Sequence, residues 1–493
     1  VHKVVLIQPS TGYWEKVRTK KGGVYIPLSL LCLASQLSGY FEVKIIDERL
    51  EVNIENTLRA VLDDSVVLVG LTSFSGAMIN SALQLTKLAK KISPHCPIVW
   101  GGVLSTLTPL VVIKNPLIDY VIEGEGERSL LLLAAALRDN RDVSTANISG
   151  VWYKKRKKAI APREKTFLNL HLVAPTDYSL IDIRPYIFSY ADLKHIAVEC
   201  SRGCVRQCNY CYNSVVNRKR CRFKSLATVT RELSQLASLK KQYGFNTIFF
   251  TDDNLFLNKK FLLSLAKLLK KLGFYWYCQA DICALALYTD REWAFLYESG
   301  LKEIALGVET ASASMRKRLN KQGTTEEIID FVRKIKKYPI IVRCNYMTNL
   351  PEETLEDIKQ SIDFMQKLQK ENSRVLNNPF FKFSPVPGTI LDTALIRNGA
   401  YLPPETLEGW SDYSWESKHS PVFSKHLKDK QFFKALVFAT MLNDNKIQLM
   451  PFPLVLKITH FFYRPVNNFR LQKLFFSGYV ELWLFERLFK VFD

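Results

Sequence analysis

Residues 195–213, HIAVECSRGCVRQCNYCYN, hold Cys204, Cys208 and Cys211 at the spacing C-x3-C-x2-C. Three thiolates this close on one loop ligate three irons of a [4Fe–4S] cube. The fourth iron is then open and can bind a small molecule. The stretch Ile196-Ala197-Val198-Glu199-Cys200 before them is apolar and β-prone, and Ser201-Arg202-Gly203 breaks it. The loop therefore leaves the carboxyl end of a strand, the end that carries the chemistry in parallel β/α barrels. A zinc site is the competing use of such thiols. Zinc wants a fourth ligand nearby, and no histidine follows the triplet closely.

Length and composition narrow the field. A chain of 493 residues is long enough for about three domains. With 47% apolar and 23% charged residues it is an ordinary globular protein, which excludes disordered and fibrous classes. Outside the triplet the cysteines are scattered, with no secreted disulfide framework. A reducing cytoplasm is the expectation, and an oxygen-labile cluster needs one. The longest apolar run, near Leu130–Leu137, falls far short of the ~18 residues that span a bilayer, and no secretion leader is legible. The net charge of +21 points either to an anionic partner or to lysine-rich solvated helix faces.

Residues 1–150 alternate strand and helix. Strands are expected at Val4–Gln8, Val43–Asp47, Val66–Leu71, Ile98–Gly101 and Tyr120–Ile122. Helices are expected at Pro27–Leu37, Ile54–Leu62, Met78–Ile92 and Glu127–Leu137. The pattern predicts a doubly wound parallel sheet, which binds ligands beyond the carboxyl ends of its strands. Those ends carry Ser10, Thr11, Ser73, Ser75, Gly101, Gly102, Gly124 and Glu125. The glycines let a bulky ligand approach the backbone. Tyr13 and Trp14 either pack locally or stack on a large ring. Residues 151–190 read as a hairpin, with a solvated basic turn at Lys154–Lys158, followed by a linker.

Strand–helix units recur over residues 191–395. The strands are His195–Glu199, Thr247–Thr251, Tyr275–Ala280, Glu303–Gly307, Ile340–Asn345 and Phe380–Phe383, with helices such as Leu226–Leu239 and Leu355–Gln369 between them. Six units predict a partial (β/α)6 barrel, open on one side.

Two sets of residues carry a family resemblance. The cysteine loop with Tyr210, the segment Asp252–Phe256, L-G-V-E-T at Leu306–Thr310, L-P-E-E-T at Leu350–Thr354 and P-V-P-G-T at Pro385–Thr389 resemble the radical S-adenosylmethionine (AdoMet) superfamily. The pattern V-W-G-G-V … D-Y-V-I-E-G-E-G-E resembles the cobalamin-binding domain found in front of one large class of those enzymes. The D-x-H-x-x-G motif that offers cobalt a histidine is missing, as is common in this class. Asn349 stands where a glycine is usual.

The resemblance implies a [4Fe–4S] cluster on Cys204, Cys208 and Cys211, with AdoMet on the open iron. It implies AdoMet contacts from Tyr210, Asp253, Gln279, Glu309 and Ser312, and a carboxylate-binding arginine, Arg222. Cobalamin would lie against the residues named at the first sheet's strand ends. An external electron donor such as flavodoxin or ferredoxin is also implied. Cys278 and Cys344 are weak cavity candidates. The expected activity is methyl transfer to an unactivated carbon of a small-molecule, lipid or peptide substrate. The alternatives are a cyclase or rearrangement enzyme of the same class and an RNA methylthiotransferase. The last needs a second cluster in front, where residues 1–150 hold only Cys32 and Cys96. Nucleic acid is therefore not the expected partner. Residues 396–493 read as a mainly helical cap. Leu482, Trp483, Phe485, Leu488 and Phe489 share one face there, suited to covering the barrel or to peripheral membrane contact.

Overall fold

The computed structural model describes residues 2–11, 24–190, 193–413, 421–443, 454–474 and 476. Tyr13, Trp14 and the apolar face at residues 482–489 lie outside them. The chain divides into two compact units: residues 1–205, 212–249 and 386–420 form one, and 206–211, 250–385 and 421–493 the other. The 396–493 segment is thus shared, its first part grouping with unit one and its remainder with unit two.

Unit one begins with the doubly wound sheet. Its strands are β1 Lys3–Gln8, β2 Glu42–Asp47, β3 Val66–Thr72, β4 Ile98–Gly101 and β5 Tyr120–Ile122. They are joined through β6 Val151–Lys155 and β7 Lys158–Ile160 in the order β2-β1-β3-β4-β5-β6-β7. Strands β1 to β5 pair in parallel, while β6 and β7 add an antiparallel edge. The central strand β3, VVLVGLT, is buried at every position but its last, as a strand covered on both faces must be. Helices Leu28–Leu37 and Glu127–Arg138 supply Leu30, Ala34, Leu130, Leu133 and Ala134 to one core with Val4, Leu6 and Leu68. The basic hairpin turns tightly because Arg156 and Lys157 both adopt left-handed angles. Two short helices, Val103–Leu107 and Pro109–Lys114, were not legible in the sequence pattern.

The same unit holds β8 Phe188–Tyr190, β9 Leu193–Val198, the two-residue strands β10 Ser201–Arg202 and β11 Arg222–Phe223, and all but the last residue of β12 Thr247–Phe250. Strand β8, antiparallel to β9, is too short for its alternation to stand out from the linker. Within that linker the buried Tyr178 donates its hydroxyl to the Ala197 carbonyl.

In unit two, β13 Tyr275–Ala280, β14 Leu301–Glu309, β15 Ile341–Thr348 and β16 Val375–Lys382 pair in parallel and in chain order. Threonine N-caps start three of the helices in this region. Thr289, Thr324 and Thr354 each accept from an amide three residues on, and Glu292, Glu327 or Asp357 returns the bond. The side chains of β13 and β15 alternate. Cys278 and Cys344 fall in phase with the buried Trp276, Val342 and Tyr346, and both are fully buried. They are packing residues, and the cavity role considered for them is corrected on that ground. Among the described residues no helix is long and apolar enough to cross a membrane.

The glycine departure at position 349 has a physical basis. Asn349 has φ +69°, a left-handed angle that asparagine tolerates better than most residues. Its amide also does what glycine cannot. The nitrogen donates to the carbonyls of Phe383 and Pro421, and the oxygen accepts from the amides of Phe423 and Ser424. The Asn349→Gly protein is expected to keep the loop and release the tether, seen as faster amide exchange at Phe423 and Ser424. Asn349→Ala adds backbone strain, for a total loss on the order of 2–3 kcal/mol in urea unfolding.

Beside it, the Glu353 carboxyl accepts from the Thr348 hydroxyl and the Asn349 amide. Burial nevertheless pushes it up to about 7. Its folded pKa exceeds the unfolded one, so its stabilising share is full in acid and is lost as pH rises towards 7. The Glu353→Gln protein should therefore gain in Tm relative to wild type between about pH 5 and about pH 8.

Candidate active site

In unit one the loops at the carboxyl ends of β1, β3, β4 and β5 carry the residues expected to line a ligand. Ideal Cβ atoms on Gly101 and Gly124 would meet nothing within 4 Å, so both glycines front open space. Gly102 differs, because a Cβ there would lie 2.7 Å from the Ser73 carbonyl, at φ +94°. Ser73 is buried and bonded to the Gly101 carbonyl and to Ser105, which makes it a brace between two strand ends. Ser75, two residues further along the same loop, is half-buried. Ser10 and the half-buried Thr11 follow β1, and the Ser10 amide donates to Glu48 at 2.6 Å and to the Ser81 hydroxyl. Sequence reading gave no hint of Glu48.

The last of these loops ends in a cluster of charges. Arg202, on β10, donates to Glu199 at 2.7 Å, Glu125 at 3.1 Å and Glu127 at 2.5 Å. Arg222, opposite it on β11, donates to Glu125 at 2.7 Å and to the Leu168 carbonyl. Burial raises the Glu125 carboxyl, but the Arg222 hydrogen bond and the two arginine charges outweigh this and hold it below the usual range. The carboxylate that Arg222 meets is therefore one of the chain's own. Glu125 and Arg222, expected to contact two different cofactors, are joined to each other. The ribbon that leads into Cys204 is thereby tied to the Gly124–Glu127 loop.

Cys204 is half-buried, Cys208 buried and Cys211 half-buried, and none of the three is in a disulfide. In unit two, residues 206–211 are pinned to the turn after helix Ala313–Arg318. The Asn209 amide donates to the Leu319 carbonyl, its side chain to that of Arg318, and Asn320 returns a bond to Gln207. Among the described residues no three His, Cys, Asp or Glu side chains close round a single metal ion. A cube of four irons spreads its thiolates more widely than one ion does. Three cysteines at this spacing, outside any disulfide, are the donor set such a cube uses.

Glu309 ends β14. It has φ +68°, and the β14–β15 register shifts between Gly307 and Glu309. Such a bulge re-aims a side chain, and strained backbone of this kind concentrates at functional sites. Glu309 meets the Tyr210 hydroxyl and the Lys321 ammonium at 3.4 Å, and Tyr210 also bonds Cys208. The ribose candidate, the aromatic of the cysteine loop and one cluster cysteine are thus in one hydrogen-bonded group. Next to it, Arg206 donates to Asp281 at 3.0 Å, and Asp281 also holds the buried Asn254 amide. Asp253 is half-buried beside Asn254, and Gln279 is exposed on β13. Ser312 is fully committed, since it caps helix Ala313–Arg318 and donates to Asp357.

Along the same strands Arg343 forms a bidentate pair with Glu303 and reaches Asn378, which bonds Asn345. Lys321, Arg206 and this polar row went unrecognised in the sequence. Each is an isolated polar residue until the fold brings its partner alongside.

Residues 198–365 match the Radical SAM superfamily, and residues 15–134 match the B12 binding domain. An uncharacterized methyltransferase of Pyrococcus horikoshii is 29% identical, covering 88% of this chain and 91% of its own. The anaerobic magnesium-protoporphyrin IX monomethyl ester cyclase of Rubrivivax gelatinosus is 24% identical over 73% of this chain and 64% of its own. Among solved structures, the cobalamin-dependent S-adenosylmethionine radical enzyme OxsB, with aqua-cobalamin and S-adenosylmethionine bound, superposes with a TM-score of 0.73. It covers 99% of this chain and 75% of its own at 16% identity, a likeness of fold.

The Arg202 cluster makes a direct prediction. Arg202→Met leaves Glu127 and Glu199 without their cation and Glu125 with Arg222 alone, which costs on the order of 3 kcal/mol. The loss should be largest near pH 8 and shrink towards about pH 5, as the stranded carboxylates take up protons. Urea unfolding at both pH values measures it.

Proposed function

Since the chain belongs to the radical SAM enzymes built with a B12-binding domain, we propose that it transfers a methyl group to an unactivated carbon of its substrate. The observation that carries this reading is the presence in one chain of a doubly wound sheet with open glycines at its strand ends and a C-x3-C-x2-C loop tied to Glu309 through Tyr210. The enzyme acts on a small molecule and draws on an electron donor. A lipid or peptide substrate, with peripheral contact to a membrane, is the finer form of the proposal.

When bound, the cluster and AdoMet supply a radical that removes hydrogen from carbon, and cobalamin supplies the methyl group. Cys204, Cys208 and Cys211 hold the cluster. Glu309 accepts hydrogen bonds from the ribose diol, because a carboxylate offers two oxygens to two hydroxyls. Lys321 and Tyr210 hold that carboxylate in place. Asp253, after β12, and Gln279, on β13, serve as further AdoMet contacts. Ser312 acts indirectly, by capping the helix that follows Glu309. Ser10, Thr11, Ser75, Gly101 and Gly124 line the cobalamin, while Ser73 and Gly102 shape the backbone beneath it. Glu125 and Arg222 position the loops rather than grip a cofactor.

Cyclisation without methyl transfer is the second reading, favoured by the similarity to the Rubrivivax cyclase. An RNA methylthiotransferase is disfavoured, because Cys32 and Cys96 are both buried on separate elements of the front domain.

An anaerobic hydroxocobalamin titration after iron–sulfur reconstitution tests the first point. Retention through gel filtration near one per chain is expected, and no retention with the cluster intact would overturn the cobalamin assignment. The Cys204→Ala, Cys208→Ala and Cys211→Ala proteins should lose 5′-deoxyadenosine formation. Label carried from methyl-labelled AdoMet into product separates methyl transfer from cyclisation.

A further inference from the structure

The loop after helix Asn213–Val216 presents Arg218, Lys219 and Arg220 to solvent. Arg218 and Lys219 are both left-handed, at φ +46° and +58°, so the turn is tight. Its arginines do not spread apart. The guanidiniums of Arg218, Arg220 and Arg222 lie 5.2, 5.3 and 4.6 Å from the centre of a single ring, Phe167. Arg222 is neutralised by Glu125. Among the described residues neither Arg218 nor Arg220 has a carboxylate partner. Like charges held together without a counter-charge repel one another, so their grouping calls for an anion from outside.

The position of the turn says which anion. A Cβ on Gly203 would lie 2.0 Å from the Arg220 carbonyl oxygen and 2.9 Å from the Asn217 Cβ. The turn is therefore pressed against the residue that precedes Cys204, and the β10–β11 pairing fixes both. The exposed cations sit at the entrance to the cysteine loop, on a chain whose net charge is +21.

We propose that the Arg218–Arg220 turn, seated on Phe167, is the docking surface for an acidic one-electron donor protein of the flavin- or iron–sulfur-carrying class. The inference rests on the cluster reading above and adds where the electron enters. The carrier is oxidised by one electron and the cluster reduced by one, and no bond forms or breaks. Encounters of this kind use small interfaces and rely on charge for orientation and rate.

The test uses the full chain after cluster reconstitution, with an oxidised acidic flavodoxin as probe in biolayer interferometry over a series of salt concentrations. In the Arg218→Glu/Arg220→Glu protein the affinity at low salt should fall by at least ~10-fold. The Arg218→Gln/Arg220→Gln protein should fall between it and wild type. Arg156→Glu/Lys157→Glu, which changes net charge equally on the distant hairpin turn, should shift affinity by less than about twofold. Cluster absorbance and reduction by a small chemical reductant should match wild type in all three. Equal weakening by the turn and hairpin variants would overturn the proposal. So would a turn variant that loses affinity for a tRNA probe while flavodoxin binding is unchanged, since that marks a nucleic-acid surface. A wild-type chain that takes up no cluster overturns the functional reading and this inference with it.

Discussion

A parallel sheet whose crossovers lay helices over both sides is dry on both faces. Strand β3 shows the constraint, buried from Val66 to Leu71. Side chains within such strands are consumed by packing, as Cys278 and Cys344 are. Polar function is pushed to the carboxyl ends, where the strands stop and the loops begin. Gly101, Gly124 and Glu309 all stand at such ends. Where a strand must still aim a polar side chain, the regular pleat gives way, as at the Gly307–Glu309 register shift.

The second organising force is electrostatic. Half-buried charges are costly unless paired, and this chain pairs them in groups. Arg202 gathers Glu125, Glu127 and Glu199, and Lys224 meets Glu232 in full burial. Arg343 clasps Glu303. Such groups add modestly to stability, but they make a wrong arrangement expensive. The Arg202 group holds the ribbon before Cys204 against the loop after β5. In unit two, Glu309, Tyr210 and Lys321 form a group of the same kind next to Cys208.

Much of this was legible beforehand. The elements expected over residues 1–150 form within one or two residues of their expected bounds, because long apolar runs between turn residues leave little choice. The six strands expected over 191–395 also form. The strands β14 and β15 run further than expected, since Val308-Glu309 and Tyr346-Met347-Thr348, placed beyond the strand ends, continue the ladder. The strand β8 and the short helix Val103–Leu107 escaped notice, being too brief to show a period. Among site residues, Ser312 looked like a ligand contact because it follows L-G-V-E-T. The same spacing makes a helix cap, and the bond to Asp357, 45 residues away, decides for the cap. Arg222 looked free for a carboxylate, and Glu125 supplied one from 97 residues away.

The sequence by itself determined the fold class, the cysteine loop and the glycines at the strand ends. These are local properties, set by apolar period, spacing and backbone freedom over a few residues. Only the tertiary structure decided which charges are spent on each other and which are left for a partner. Arg218, Arg220 and Arg222 look alike in the chain. Long-range folding gives Arg222 a carboxylate and leaves the other two facing solvent on the same aromatic ring. An ion pair depends on distance in space, and the chain's order does not carry that distance.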